Sequence, residues 1–234
     1  MDPELKVRIE RDHVVADCGS HLLLLDTGSP TSFGTAEISW RGEPVDLRQG
    51  MAVFPLETIN ESIGLPFDGL IGADLLLAEP CRFDVSAGVW RWGVEADGGD
   101  GCPCSQLMHV PVAQIECDGV LRPFAVDTGA SRTYVEPAIA EGMERVGTVE
   151  DFYPGMGTFT SDVIELSVLV AGQRVQLSAG VLPESLGFLM STFGIQGIIG
   201  LDVLGTGSFH FDPAAEMLSP LVSIATSDQA RCPE

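Results

Sequence analysis

Two identical tripeptides, Asp-Thr-Gly at residues 26–28 and again at 127–129, each follow an apolar run typical of a buried strand. An aspartate at the end of such a strand is costly to ionise unless its oxygens accept hydrogen bonds. The following glycine lets the chain turn so that backbone N–H groups point back at the carboxylate. If a two-fold relation brings Asp26 against Asp127, the two carboxyls share one proton. One can then deprotonate a water molecule while the other donates a hydrogen bond, and their roles stay unassigned because the pair titrates as a unit.

The chain around these motifs is an internal repeat. The segment GLIGADLL (Gly69–Leu76) returns as GIIGLDVL (Gly197–Leu204), and CRFD (Cys81–Asp84) returns as FHFD (Phe209–Asp212), both at an offset of 128 residues. The two Asp-Thr-Gly motifs are only 101 residues apart, so the second half is longer by 27 residues between these landmarks. A repeat of this length predicts two related lobes.

The local pattern predicts a mainly β protein. Short runs of Val, Ile and Leu, broken by Gly, Asp and Pro, indicate strands joined by hairpins, with turns at Gly42 and Gly172. Tight turns are expected at Asp17–Gly19 and Cys117–Gly119, just before each motif. A helix is predicted at about residues 136–143. The turn-rich segment 96–105 is predicted to link an amino-terminal lobe, residues 1–95, to a carboxy-terminal lobe, residues 106–234.

Two Asp-Thr-Gly motifs, each followed at a distance by Gly-x-Asp-x-Leu, make the chain resemble the pepsin and retropepsin superfamily of aspartic peptidases from about Val14 to Asp212. The resemblance implies a two-lobed acid-protease β-barrel fold with pseudo-two-fold symmetry. It also implies hydrolysis of peptide bonds by a water activated between Asp26 and Asp127, without a cofactor. The implied partner is a peptide or protein substrate in extended conformation, bound by strand-like backbone pairing.

The resemblance also gives roles to the neighbours of the aspartates. Thr27 and Thr128 are expected to reach across and hold the opposite loop, and Gly28 and Gly129 to supply amide donors. Ser29 is expected to hydrogen-bond an outer carboxylate oxygen.

Ala130, at the matching place in the second motif, cannot make that bond. Alanine there is linked in the family to a less acidic optimum, so the mixed site leaves the pH optimum open. The acidic residue and arginine that retropepsins commonly pair near the motif are missing together in both halves, where the chain has Pro30, Ser131, Ala73 and Leu201.

The extra segment of the second half contains Phe152–Phe159, which is similar to the glycine-rich flap of retropepsins, a hairpin that closes over substrate. Glycines at the tip give the conformational freedom that such a lid needs. The candidate flap and substrate-binding residues are Tyr153, Gly155, Met156, Gly157 and Phe159. An ordinary exposed hairpin is the alternative. The first half has no room for an equivalent, so a single flap in the carboxy-terminal lobe is expected.

Composition excludes several other classes. With 12 basic and 34 acidic residues, the formal net charge of -22 disfavours nucleic acid and anionic membranes as partners. Six cysteines permit disulfides without requiring them, and Cys102-Pro103-Cys104 with His109 lacks the usual zinc spacing, so no metal is expected. The sequence has no Gly-x-Ser-x-Gly motif, so a serine hydrolase is not supported. The recurring Asp74, Asp202, Asp84 and Asp212 are interpreted as structural.

A cytoplasmic location is expected, because the sequence as given shows neither a signal peptide nor an apolar run that could span a bilayer. A monomer is expected because one chain contains both Asp-Thr-Gly motifs. Trimming of a precursor would leave a secreted or periplasmic location open. Two other functions also stay open. One is a module on the same fold that binds a peptide or a partner without cutting it, and the other is a peptidase that needs processing or dimerisation.

Overall fold

The computed structural model describes residues 4–52, 54–84, 87–95, 101–170 and 172–220. The strands of the first half are β1 (Glu4–Lys6), β2 (Arg8–Glu10), β3 (His13–Cys18), β4 (His21–Leu25), β5 (Phe33–Gly34), β6 (Glu37–Trp40), β7 (Glu43–Asp46), β8 (Gly69–Ile71), β9 (Cys81–Asp84) and β10 (Val89–Trp92). Those of the second half are β11 (Cys102–Leu107), β12 (Val110–Cys117), β13 (Val120–Val126), β14 (Tyr134–Val135), β15 (Arg145–Tyr153), β16 (Gly157–Val170), β17 (Gln173–Val181), β18 (Gly197–Ile199), β19 (Ser208–Asp212) and β20 (Met217–Pro220). The helices are α1 (Leu56–Ile63), α2 (Ala73–Leu76), α3 (Glu184–Thr192) and α4 (Leu201–Leu204), with a 3₁₀ turn at Leu47–Gln49. The predicted mainly β class is confirmed.

Each half builds the same core around its motif. In the first half β4 pairs antiparallel with β3 and parallel with β8, and in the second half β13 pairs in the same way with β12 and β18. The predicted tight turns are confirmed by left-handed backbone at Gly19 (φ 66°) and at Asp118 and Gly119 (φ 51° and 76°). Two-residue hairpins favour such residues because their twist matches that of the strands.

The halves join in one continuous sheet, in which the order β1-β10-β9-β19-β20-β11 runs from the first half into the second. At its centre β9 pairs antiparallel with β19, and Arg82 lies opposite His210. These two residues are counterparts in the 128-residue repeat. The pseudo-two-fold axis therefore passes between them.

Aromatic side chains pack beneath this sheet. The rings of Phe83 and Trp90 have centroids 5.2 Å apart, Trp92 stacks edge-on against Trp40 at 5.4 Å, and the Arg41 guanidinium lies 4.7 Å from the Trp92 ring. Rings of this size bury much of the apolar area that stabilises the fold. Within the described ranges, no helix is long and apolar enough to cross a membrane.

The halves differ after the Asp-Thr-Gly motif. In the first half the chain enters β5 and then the short β6–β7 hairpin, which turns at Gly42 (φ 86°) as predicted. In the second half β14 is followed by the long β15–β16 hairpin, and β16 then turns near Gly172 (φ 81°) into β17. Over the residues described, only the second half carries a long hairpin at this place.

One local prediction, the helix at about residues 136–143, was wrong. Residues 136–143 form successive turns, with bonds from the N–H of Ile139 to the Glu136 carbonyl and from Ala140 to Pro137, rather than a helix. Each bond joins residues three apart in the sequence, and Gly142 has left-handed backbone (φ 78°), which a regular helix does not contain. Of the predicted 96–105 linker, residues 96–100 lie outside the described residues, whereas β11 begins at Cys102 and pairs with β12 and β20.

Candidate active site

Each aspartate begins the loop that follows a central parallel strand. The N–H of Asp26 donates to the Ile71 carbonyl at 2.9 Å, and the N–H of Asp127 donates to the Ile199 carbonyl at 3.0 Å. These carbonyls end β8 and β18, the Gly-x-Ile strands of the repeat. The parallel pairing therefore fixes both aspartates at equivalent positions on the two sides of the axis.

The glycine turn directs backbone donors at each carboxylate. Oδ1 of Asp26 accepts from the N–H of Gly28 at 2.8 Å and of Ser29 at 3.0 Å. In the second motif, Oδ1 of Asp127 accepts from Gly129 at 2.8 Å and from the next residue, Ala130, at 3.2 Å. Such bonds hold one oxygen of each carboxylate and favour its ionised form.

The threonines link the two loops. The Thr27 hydroxyl donates to the Val126 carbonyl at 2.7 Å and accepts from the N–H of Thr128 at 3.0 Å. The Thr128 hydroxyl donates to the Leu25 carbonyl at 2.9 Å and accepts from the N–H of Thr27 at 3.0 Å. Both side chains are buried. Four reciprocal bonds in a water-poor setting therefore set the separation of the loops.

Each carboxyl lies directly against the glycine of the other motif. A Cβ placed on Gly28 would lie 2.3 Å from Cγ of Asp127, and one on Gly129 would lie 2.5 Å from Cγ of Asp26. Only a residue without a side chain fits at these positions. The two carboxyls consequently face each other, as the sequence suggested.

Their proximity changes how they titrate. Burial, then the charge of Asp127 and a hydrogen bond with it, raise the pKa of Asp26 well above its usual range. Burial also raises the pKa of Asp127, and hydrogen bonds from Asp26, Gly129 and Ala130 partly oppose that rise. Because the two sites are coupled, the raised pKa belongs to the pair, which retains a shared proton at a pH where an isolated aspartate is ionised.

Comparison with known proteins bears on the fold. No family model and no curated protein sequence matches the chain. The structure is similar to the crystal structure of an aspartic proteinase from Irpex lacteus, with a TM-score of 0.51, 14% identity, and coverage of 96% of this chain and 98% of that one. The chain has the pepsin-like fold. The solution structure of the simian foamy virus (mac) protease also matches, over 39% of this chain and 88% of that one, with 20% identity and a TM-score of 0.30.

One contact expected from the sequence is not made at this site. The Ser29 hydroxyl donates to the Thr31 carbonyl at 2.9 Å instead of to a carboxylate oxygen, so the expectation for Ser29 was wrong. A hydroxyl has one proton, and the turn after the motif brings that carbonyl within its reach. Ala130 instead packs against an apolar cluster formed by Tyr134, Leu182, Leu186 and Ile198.

The predicted flap is the tip of the β15–β16 hairpin, residues 153–157. Gly155 and Gly157 have φ of 87° and 82°, and the N–H of Met156 closes the turn on the Tyr153 carbonyl at 3.0 Å. Tyr153, Met156 and Phe159 pack against the same cluster as Ala130. Burial, and then the charges of Asp127 and Asp26, raise the pKa of Tyr153.

Sequence reasoning missed Tyr134. Its hydroxyl donates to Oδ2 of Asp151, in β15, at 2.5 Å, and its ring centroid lies 6.0 Å from that of Phe159. Burial and the bond to Asp151 raise the pKa of Tyr134. Tyr134 thus supports the base of the flap, a role with no signal in spacing because the contact crosses two strands.

Sequence reasoning also missed two equivalent hydrogen-bonded pairs, one in each half, although the internal repeat indicates them. The Ser32 hydroxyl donates to Asp74 at 2.6 Å and accepts from the N–H of Gly72, and the Thr133 hydroxyl bonds in the same way to Asp202 at 2.6 Å and to Gly200. Hydroxyls 101 residues apart and aspartates 128 residues apart follow the two repeat offsets. The structural interpretation of both aspartates is confirmed.

The other two recurring aspartates also bond the backbone. Oδ1 of Asp84 accepts from the N–H of Ala87, and Oδ1 of Asp212 accepts from Ala214 and Ala215. The part of the chain that the structure describes has no group of three or more His, Cys, Asp or Glu side chains placed to hold a metal ion. Cys102 and Cys104 are buried within β11.

Proposed function

We propose that this chain is an aspartic endopeptidase that hydrolyses peptide bonds with a water activated by Asp26 and Asp127. One observation carries the proposal: each carboxyl is held by its own loop and lies directly against the glycine of the other motif. The raised pKa of both aspartates agrees with this facing arrangement. A site that only gripped a peptide would gain nothing from two facing carboxyls whose ionisation is mutually unfavourable.

In the proposed reaction, the ionised member of the pair takes a proton from water as the water oxygen attacks the peptide carbonyl carbon. The protonated member donates to the carbonyl oxygen and stabilises the charge that develops there. Breakage of the C–N bond then follows, with a proton passing to the amine that leaves. The loop amides and the threonine network keep the carboxyls in place, and this precision supplies much of the rate in such reactions.

We propose that substrate binds as an extended strand between the pair and the flap. Tyr153, Met156 and Phe159 would give apolar contacts over the scissile bond, while the hairpin edge would supply backbone bonds. The cleft would lie between lobes spanning residues 1–95 and 106–234, with 96–105 as the connection. Since one chain supplies both aspartates, we propose a monomer, which the mass on size exclusion would test.

The test is cleavage of a denatured protein from about pH 3 to pH 7, across and above the usual aspartate pKa of about 3.9. Asp26→Asn and Asp127→Asn preserve shape and are expected to lose cleavage by several orders of magnitude. Asp118→Asn makes the same chemical change in an exposed turn and should cut like the parent. If the parent fails to cut while folded, the proposal is wrong, and a binding module or a processing-dependent enzyme replaces it.

A further inference from the structure

The flap tip of the second half touches a side chain of the first half. A Cβ placed on Gly155 would lie 2.3 Å from Cε1 and 2.7 Å from Cζ of Phe54, which puts the glycine backbone in van der Waals contact with the ring edge. Phe54 is partly buried, whereas Met51, three residues earlier, is 79% exposed. The tip of the β15–β16 hairpin therefore meets a side chain of the first half.

Met51, three residues before Phe54, is bonded to the loop that carries the first aspartate. The Ser29 hydroxyl donates to the Thr31 carbonyl at 2.9 Å, and the Thr31 hydroxyl donates to the Met51 carbonyl at 2.9 Å. Gly50 packs so closely on that loop that an added Cβ would lie 1.9 Å from the Ser32 carbonyl oxygen. Gly50 and Met51, which precede Phe54 in the chain, are thus held against the loop that follows Asp26.

The repeat explains why this position faces the flap. Pro55 and Pro183 precede α1 and α3, and they are separated by the same 128 residues as the Gly-x-Ile-Gly segments. Phe54 is accordingly the counterpart of Leu182, which is buried in the apolar cluster beneath the flap. The first half has no long hairpin of its own in the described residues, so its counterpart residue meets the flap of the other half.

We infer that Phe54 holds the flap closed over the aspartates and is a positioning residue for the peptidase reaction proposed above, on which this inference rests. A protein substrate enters only when Gly155 moves away from the ring, and closure restores the contact once the peptide is in place. A glycine is needed at position 155 because a side chain would strike Phe54, in addition to the strain of its φ of 87°.

The first test is independent of cleavage. Hydrogen exchange of the flap amides, including the Met156 N–H, is measured without substrate for the parent, Phe54→Ala, Phe54→Leu and Met51→Ala. We expect about fivefold faster exchange in Phe54→Ala, a smaller change in Phe54→Leu and none in Met51→Ala, because local opening sets exchange. The amides of the 110–126 hairpin serve as an internal reference. An unchanged ratio of flap to reference exchange in Phe54→Ala would overturn the inference, even if the protein cuts peptides well.

The second test measures kcat/KM on a short peptide. Phe54→Ala is expected to lower it about tenfold, and Phe54→Leu to restore part of the loss, while Met51→Ala matches the parent. Gly155→Ala should cost less in the Phe54→Ala background than in the parent, since the clash with the ring is gone and only the backbone strain remains. Independent, multiplicative effects of the two substitutions would contradict a direct contact. A parent without peptidase activity refutes the proposed function alone, because the exchange ratio still reports the contact.

Discussion

The close contact between Gly28 and Asp127 makes a sharp prediction for Gly28→Ala. The added Cβ would lie 2.3 Å from Cγ, 2.3 Å from Oδ2 and 2.5 Å from Oδ1 of Asp127. A methyl carbon at these distances overlaps the whole carboxyl group, so rotation of the side chain cannot relieve it. Either the carboxyl or the Gly28 loop has to move.

The overlap sets the size of the effect. Relief requires a displacement of about 1 Å, and small-to-large changes in packed sites typically cost about 1–3 kcal/mol of stability. A shift of the Asp127 carboxyl would stretch its hydrogen bonds from the N–H groups of Gly129 and Ala130. A shift of the Gly28 loop would instead disturb the hydrogen bonds between Thr27 and Thr128. A misplacement of about 1 Å at a reacting group can lower the rate about a hundredfold. We therefore expect kcat to fall at least that far in a protein that still folds.

The assay compares Gly28→Ala with Gly147→Ala. Gly147 lies in β15, where an added Cβ meets nothing within 4 Å, so its substitution makes the same chemical change in open space. Thermal unfolding and peptide cleavage are measured for both. Gly147→Ala should behave like the parent in both assays. Full activity in Gly28→Ala would refute the geometry in which each carboxyl lies against the opposite glycine, and with it the facing pair.

Three further outcomes follow from the site. Thr27→Ala removes two bonds between the loops and should lower the free energy of unfolding by about 1–3 kcal/mol, whereas Thr27→Ser should lose little in a denaturant titration. Asp127→Asn should unfold at a higher temperature than the parent at pH 7 but not at pH 3. The pKa of the pair is raised in the folded protein, so the parent loses stability as the pH rises above about 3.9, the aspartate pKa in the unfolded chain. Equal melting temperatures at pH 7 would contradict that sign. Tyr134→Phe deletes the hydrogen bond to Asp151 and should lower the free energy of unfolding by about 0.5–1.5 kcal/mol and raise KM. The equally conservative Tyr153→Phe should leave the free energy of unfolding unchanged.

The parts of the fold that were predictable are those encoded by local chemistry. Turns at Gly19 and Gly119 needed left-handed backbone, and the Asp-Thr-Gly loops needed a glycine whose amide points at its own aspartate. The repeat then implied the facing arrangement without coordinates. Such features depend on neighbours within a few residues plus one symmetry relation, so a single sequence contains most of the information.

The parts that were not predictable depend on competition between partners. The Ser29 hydroxyl could reach either a carboxylate oxygen or the Thr31 carbonyl, and only the path of the turn decides between them. The stretch after Glu136 has the composition of a helix, yet its bonds close as turns of three residues. Contacts across the lobes, such as Phe54 with Gly155, have no local signal at all.

The repeat constrains the two halves unequally, and the structure shows where. At the axis, Arg82 pairs with its own counterpart His210, and each threonine of the motifs bonds the loop of the other, so a change in one half alters the environment of both. The flap is not part of these paired contacts, because it needs only a surface of the other half on which to close. In the described residues, only the second half has a long hairpin, and Phe54 of the first half gives the tip of that hairpin a contact. On this reasoning, substitutions of Thr27 or Thr128 should disturb the geometry of both Asp-Thr-Gly loops. Substitutions of Phe54 should instead act through its contact with the flap.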